Sequence, residues 1–253
     1  MGFSRGLRTP ANSIPFLRRP RRRRRFRRPS DYHFPSTCQI PDLAERYREL
    51  FGGVKTDGTF VEVGAYDGET ISNTSGLADL GWAGLYVEPV PRFAHACAER
   101  HATNKRVRVA NCAVGTKVGL VDIYVGEGLS TELQEQVDVY AQIEWMEGVH
   151  TGERIRVPEF RLDQLLVEAR IDPHFELLVV DVEGSEDAVF DSFSLDAWRP
   201  YVLIVELIDH HPDFQSFDRV VKRSSDLRKR INQHGYREHY TDEVNTIFRR
   251  SEP

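Results

Sequence analysis

Five strand-length apolar runs, each leading into a stretch of helical periodicity, leave this chain few folds to choose from. The strands are Thr59-Phe60-Val61-Glu62-Val63, Gly84-Leu85-Tyr86-Val87-Glu88, residues 107–114, residues 176–182 and residues 201–207. The helices between and after them are expected over 70–80, 91–101, 162–169, from 185 to 191, and over 220–234. Leu43, Tyr47, Leu50 and Phe51 recur at helical spacing ahead of the first strand, and Gly52-Gly53 ends that run. Residues 120–125 alternate weakly and read as an added strand, while 236–240 and 245–248 read as a closing antiparallel hairpin. Alternating β and α elements fold as a parallel sheet covered on both faces. The expectation is therefore a doubly wound, mostly parallel seven-stranded α/β sheet with a terminal hairpin. The polar stretch 126–154, which contains Trp145 and Met146, is read as an inserted loop or lid with room for a short helix.

Composition divides the chain in two. The first 30 residues hold eleven arginines and no acid, nine of them between Arg18 and Arg28. The remaining residues carry 23 basic side chains against 39 acidic ones, a net of −16. Six of the thirteen prolines lie in the first 41 residues. Such a segment repels itself and buries little, so residues 1–41 are expected to be a disordered tail and 42–253 the folded domain. No apolar region follows the arginines, so no secretory signal is read there, and a cytoplasmic protein is expected. The longest apolar stretches, 175–182 and 201–208, are strand-length and fall far short of the roughly 20 residues a membrane helix needs. Three widely spaced cysteines exclude a disulfide framework and offer no CxxC zinc pair.

The turn after the first strand, Gly64-Ala65-Tyr66-Asp67-Gly68, carries the chemical information. A glycine just past a buried strand permits positive φ and close approach of a ligand to the backbone. Glu62 and Glu88 end successive strands at the carboxyl edge, where ligands of such sheets bind. Gly68 and Glu88 are 20 residues apart, the spacing at which an acid receives ribose hydroxyls. Tyr66 stands where a dinucleotide fingerprint needs its second glycine, and Glu62 and Asp67 would repel a pyrophosphate. Carboxylates suit instead the sulfonium and ammonium groups of S-adenosylmethionine. On pattern alone a nicotinamide dinucleotide and a purely structural turn stay open.

Three runs resemble the FkbM-type methyltransferases. They are Phe60 to Glu69 followed by Ser72-Asn73-Thr74, then Gly81-Trp82-Ala83-Gly84-Leu85-Tyr86-Val87-Glu88-Pro89, then Val180-Asp181-Val182-Glu183-Gly184-Ser185-Glu186. The resemblance extends from about Thr59 to Glu206 and leaves out the arginine tail, the lead-in to Gly53 and most of 126–154. It implies a class I methyltransferase fold of Rossmann-like type and S-adenosylmethionine as methyl donor. The acceptor it implies is a hydroxyl on a small molecule or glycan. Glu62, Gly64, Ala65, Asp67, Gly68, Glu88, Pro89 and Ala113 are the expected donor-binding residues.

Asp181 and Glu183 follow the most apolar strand and are expected beside the reacting methyl, with Asp181 as base and Glu183 as its positioning partner. His210, after the strand that ends near Glu206, is the alternative base, histidine being suited to proton removal near neutral pH. Ser185 reads as a helix N-cap, with Glu186 and Asp187 complementing the helix dipole. Asp181, Glu183 and Glu206 are oxygen donors that a magnesium ion would accept. No D-x-D cluster accompanies them, and no metal site is expected. Trp82, Tyr86, Cys97 and Cys112 read as core, and Trp145 and Met146 as exposed apolar cover for an acceptor. The arginine run could bind nucleic acid through phosphates, making the folded part a scaffold or an RNA-directed enzyme. The acidic body lacks the basic-aromatic stripe of a nucleic-acid module, and a dispensable tail is the preferred reading.

Overall fold

The structure is a computed structural model and describes residues 13–20 and 29–251. Its main sheet has seven strands in the order β3-β2-β1-β7-β8-β10-β9. They are β1 (Thr59–Val63), β2 (Ala83–Val87), β3 (Val107–Ala110), β7 (Leu177–Val180), β8 (Val202–Glu206), β9 (Tyr236–Thr241) and β10 (Asn245–Arg250). The first five are parallel, and β10 returns antiparallel to β8 and β9. Crossover connections place helices on both faces, so the central strands are apolar along almost their whole length. On one face Phe60, Tyr86, Val109, Val179 and Ile204 pack against α1 (Leu43–Phe51), α2 (Ser75–Leu80) and α3 (Pro91–Arg100). On the other, Val61, Leu85, Leu178 and Leu203 pack against α5 (Leu162–Ala169), α6 (Glu186–Asp191) and α7 (Asp218–Gln233). Trp82, Tyr86, Cys97 and Cys112 are fully buried, as expected of core residues.

A second sheet was only half legible. β4 (Ala113–Val114), β5 (Gly119–Tyr124) and β6 (Arg154–Phe160) form a three-stranded layer in the order β4-β6-β5. Between β5 and β6 the inserted segment contains α4 (Gln134–Tyr140) and a 3-10 turn at Glu144–Met146. It has a small core of its own, in which Val139, Tyr140, Ile143 and Met146 meet Ile208, Phe214 and Val220. Met146 is thus buried rather than exposed. Trp145 is exposed and donates its indole N–H to Asp213 at 2.8 Å.

The described part of the expected tail lies against the domain. Residues 13–20 run antiparallel to the edge strand β3: Leu17 N–H donates to the Val109 carbonyl at 2.9 Å and Asn111 N–H to the Pro15 carbonyl at 3.1 Å. Ile14, Phe16 and Leu17 pack on the core, and the Arg108 guanidinium covers the Phe16 ring 3.7 Å from its centroid. Further on, Tyr32 and Ile40 are buried against α1, and Phe34 meets the Tyr47 ring edge-on. Ile14, Phe16 and Leu17, the first two separated by Pro15, fasten this extended segment along an otherwise unpaired strand edge. Residues 1–12 and the arginine run 21–28 lie outside the described residues. Among the described residues no helix is long and apolar enough to cross a membrane.

Candidate active site

Strand order reverses at the β1–β7 seam, because the chain builds β1, β2 and β3 to one side and β7 and β8 to the other. Ligands of open α/β sheets bind outside the carboxyl ends of strands at such a switch point. A cleft opens there. Its walls include Tyr66, Glu88, Pro89 and Ala113 on the β2 side, Asp181, Glu183 and Ser185 on the β7 side, and Gly64 where the two meet. Val63, Val87, Val114 and Ile123 make the space between them apolar.

The β1 turn is held by Gly64 and Ala65, whose N–H groups both donate to the Val87 carbonyl at 3.0 and 3.2 Å. Gly64 has φ +88, and a Cβ there would fall 1.6 Å from the Asp181 carbonyl oxygen. Its missing side chain therefore lets two strand ends close on each other. Tyr66 also takes a left-handed conformation, φ 46, and its ring packs edge-on against Phe93 above the cleft wall. Glu88 is buried, and its carboxylate accepts the N–H groups of Tyr66 at 2.9 Å and Val90 at 2.8 Å. Burial pushes its acid up to about 8.

Four expected donor contacts lie elsewhere. Glu62 shares the α1–α3 face of β1 with Phe60, and there the hydroxyls of Thr74 and Ser72 donate to it. Desolvation pushes it up to about 8. Asp67 accepts the N–H groups of Glu69 and Thr70 and closes its own turn. Gly68 packs beneath Cys97 and His101, and Ala65 belongs to the core. His210 is also outside the cleft, on an exposed 3-10 turn 3.8 Å from Asp209, which Arg228 holds at 2.6 Å.

Asp181, Glu183 and Glu206 come together, one carboxylate oxygen from each lying within 4.8 Å of the others. Tyr140 donates its phenol to Glu183, and the Thr131 hydroxyl donates to the Glu183 carbonyl at 2.8 Å. Glu183 holds φ 57, a left-handed conformation uncommon for a residue with a side chain. Burial raises all three acids; the charges of their neighbours raise Glu183 and Glu206 further, whereas a hydrogen bond from Glu206 opposes the rise at Asp181. Among the described residues no Lys, Arg or His pairs with any of the three. Ser185 precedes α6 but its hydroxyl makes no capping bond. Instead Glu186 folds back to accept the N–H groups of Val182 and Gly184, both at 3.1 Å.

The insertion, expected as a lid, lines the cleft through residues that no local pattern singles out. Glu127, Gly128, Ser130 and Glu132 line the cleft, and the Tyr66 phenol reaches Glu127 at 3.2 Å. Nothing in the local pattern marks these residues, because their position depends on the β5–β6 pairing that carries the insertion back over the sheet edge.

A sheet of this order, closed by an antiparallel hairpin and open at the seam of its first strand, defines the class I methyltransferase architecture. The model of the FkbM methyltransferase domain matches residues 62–238, and the chain belongs to that family. No curated protein is similar enough to match. Among solved structures, the chain is similar to an O-methyltransferase from Bacillus cereus in complex with S-adenosylhomocysteine. Identity is 15%, covering 85% of this chain and 83% of that one, with a TM-score of 0.46. It is also similar to the O-methyltransferase TomG of Streptomyces achromogenes, involved in tomaymycin synthesis and solved with S-adenosylmethionine. There identity is 13%, with 84% of each chain covered and a TM-score of 0.43.

Proposed function

We propose that this methyltransferase binds S-adenosylmethionine in the cleft at the β1–β7 seam and methylates a hydroxyl on a small molecule or glycan. The observation that carries the reading is the cleft's polarity: apolar strand-end side chains, the buried Glu88 on the β2 side, and Asp181 and Glu183 on the β7 side. The residues present fit the donor. The Glu88 carboxylate is anchored by two backbone N–H groups and retains lone pairs for ribose hydroxyls. Val63, Val87 and Ala113 offer apolar contact to an adenine, and the distant acids match the donor's positive charge. Bound there, S-adenosylmethionine supplies an electrophilic methyl group.

The chain's own residues have three tasks. Glu88, Pro89 and the Gly64 turn fix the donor's position, and Tyr66 with the insertion excludes water from above. Asp181 accepts the proton of the acceptor hydroxyl, which is a poor nucleophile while it keeps that proton. Glu183, fixed through Tyr140, orients the acceptor beside it. His210, exposed outside the cleft, is the control position rather than the first choice.

Calorimetry with S-adenosylmethionine, S-adenosylhomocysteine and NAD tests the donor. Glu88→Ala should weaken binding of the first two by about 1–3 kcal/mol, the cost of leaving the ribose hydroxyls without a partner in a buried place. NAD binding without S-adenosylmethionine binding would overturn it. A mass-spectrometric screen of hydroxylated metabolites and sugars for a CH2 increment tests transfer. Asp181→Asn should then lower turnover about 10²–10⁴-fold with little change in donor affinity, while His210→Gln stays near normal. The reverse order would move the base to His210.

A further inference from the structure

We propose that the open edge of β3 carries a groove for the phosphate chain of a single-stranded nucleic acid, at the end of the sheet opposite the cleft. The groove lies where the docked segment 13–20 meets β3 and the turn before it. Phe16, Leu17 and Val107 give it an apolar floor, and Arg19, Lys105 and Arg108 add three cations. Among the described residues no carboxylate lines it.

Its place follows from strand direction. Phe16 pairs antiparallel with Ala110, so Arg19 falls at the amino end of β3, beside Lys105 in the preceding turn. The cleft lies outside the carboxyl ends of the same parallel strands, and the groove therefore does not depend on the methyl-transfer reading. None of the three cations forms an ion pair among the described residues. Arg108 donates to the Glu168 carbonyl at 3.0 Å and covers the Phe16 ring, while Arg19 and Lys105 are exposed. Partial burial lowers Arg19 and Arg108 from the usual guanidinium range, and Arg170 offsets the charge of Glu168 near Arg108.

Cations without counter-charges beside apolar surface suit an anion with an apolar part. Guanidinium forks match phosphate oxygens, and the floor between them receives an unstacked base, which a duplex keeps inside its stack. After Pro20 the sequence continues with seven further arginines at 21–28, a charge suited to a chain of phosphates rather than to one. The chain after residue 30 has 23 basic side chains against 39 acidic ones, so most of the surface repels a polyanion and this strip does not. A lipid surface calls instead for a protruding apolar face, whereas here the apolar side chains line a hollow. Nothing in the sequence marks the strip, because Arg19 meets Lys105 and Arg108 only once segment 13–20 lies along β3.

Fluorescence anisotropy of a labelled oligouridylate with the full chain tests the proposal. Affinity should fall as salt rises. Arg19→Glu with Lys105→Glu should weaken binding about tenfold or more and reduce the salt slope by about 0.7 per lost contact, although residues 21–28 are unchanged. Lys222→Glu with Lys229→Glu, the same charge change on exposed α7, should leave affinity within about twofold, because salt screens distant charges. If melting shows the first double variant to be unfolded, Lys105→Glu alone serves, since Lys105 is exposed in a turn. No oligonucleotide binding at low salt, equal affinity in wild type and the Arg19–Lys105 variant, or tighter binding of a duplex would overturn the groove. Capture by phosphatidylserine vesicles without oligonucleotide binding would also overturn it. Calorimetry with S-adenosylmethionine on the same samples separates the two readings. Oligonucleotide binding without donor binding defeats the donor assignment alone, and the converse defeats the groove alone.

Discussion

Glu62 shows how much one residue's face decides. It ends an apolar strand next to a glycine turn, which made it a candidate for the donor, yet side chains alternate along a strand and Glu62 falls on the same face as Phe60. That face is covered by α1–α3, so its partners are Thr74 and Ser72 instead of a ligand. The alternation was legible in the sequence. Which face carries the cleft was not, because that depends on where the β5–β6 layer and the insertion come to rest. Glu62 and Glu88 each have their acid raised from 4.5 to about 8, chiefly by burial. An acid raised in the folded state binds a proton that the unfolded chain has released, so its stabilising contribution is complete below the unfolded value. That contribution is lost as pH climbs through the folded value. Between pH 4.5 and 8 each group should tilt stability downward by about 1.4 kcal/mol per pH unit. Glu62→Gln keeps an acceptor for Thr74 and removes one titration. Urea midpoints at pH 5, 6.5 and 8 should therefore fall less steeply in this variant. Parallel curves for variant and wild type would show that Glu62 is not the group responsible.

The elements divide by how local their causes are. The five parallel strands were legible because burial on both faces leaves them continuously apolar, and α1, α3 and α5 because their apolar residues recur at helical spacing. β6 was hidden: Arg154, Arg156 and Glu159 interrupt its apolar residues and Pro158 argues against a strand, but pairing to β4 and β5 on either side overrides both. The segment 13–20 is hard to read for a related reason. Its charge and prolines describe an unfolded chain, whereas Ile14, Phe16 and Leu17 answer to the open edge of β3. Deleting residues 1–12 should leave the melting temperature unchanged. Deleting residues 1–20 removes three half-buried apolar side chains, about 2–4 kcal/mol in all, and should lower it by several degrees. Exposing the β3 edge should also promote association, visible in light scattering. Identical melting of the two truncations would mean that the segment does not hold its place in solution.

At the scale of the whole molecule, the candidate site is assembled from parts far apart in sequence and tied together by a few side chains. Arg223 on α7 is the widest of these ties. It donates to the Gly184 carbonyl at 2.7 Å and to Glu135 of α4 at 2.9 Å, so one guanidinium joins the C-terminal helix, the insertion and the acid-bearing loop. The insertion has further anchors in its small core against Ile208, Phe214 and Val220 and in the Tyr140 and Thr131 hydroxyls on Glu183, none of which joins it to the C-terminal helix at Gly184. Arg223→Ala should therefore leave the insertion folded and loosen its hold on the acids. The expected cost in stability is about 1–3 kcal/mol, because the carbonyl and Glu135 lose a partner in a partly shielded place. Amide exchange should quicken over residues 131–140 and 182–185 and stay unchanged in β1, β2 and their turns. Donor affinity, set by Glu88 at the far end of the cleft, should change little, while turnover falls as Glu183 and its phenol partner lose their fixed position. Quickened exchange across the whole sheet would mean that Arg223 supports the fold at large. Exchange unaltered at 131–140 would mean that the small core alone holds the insertion over the cleft.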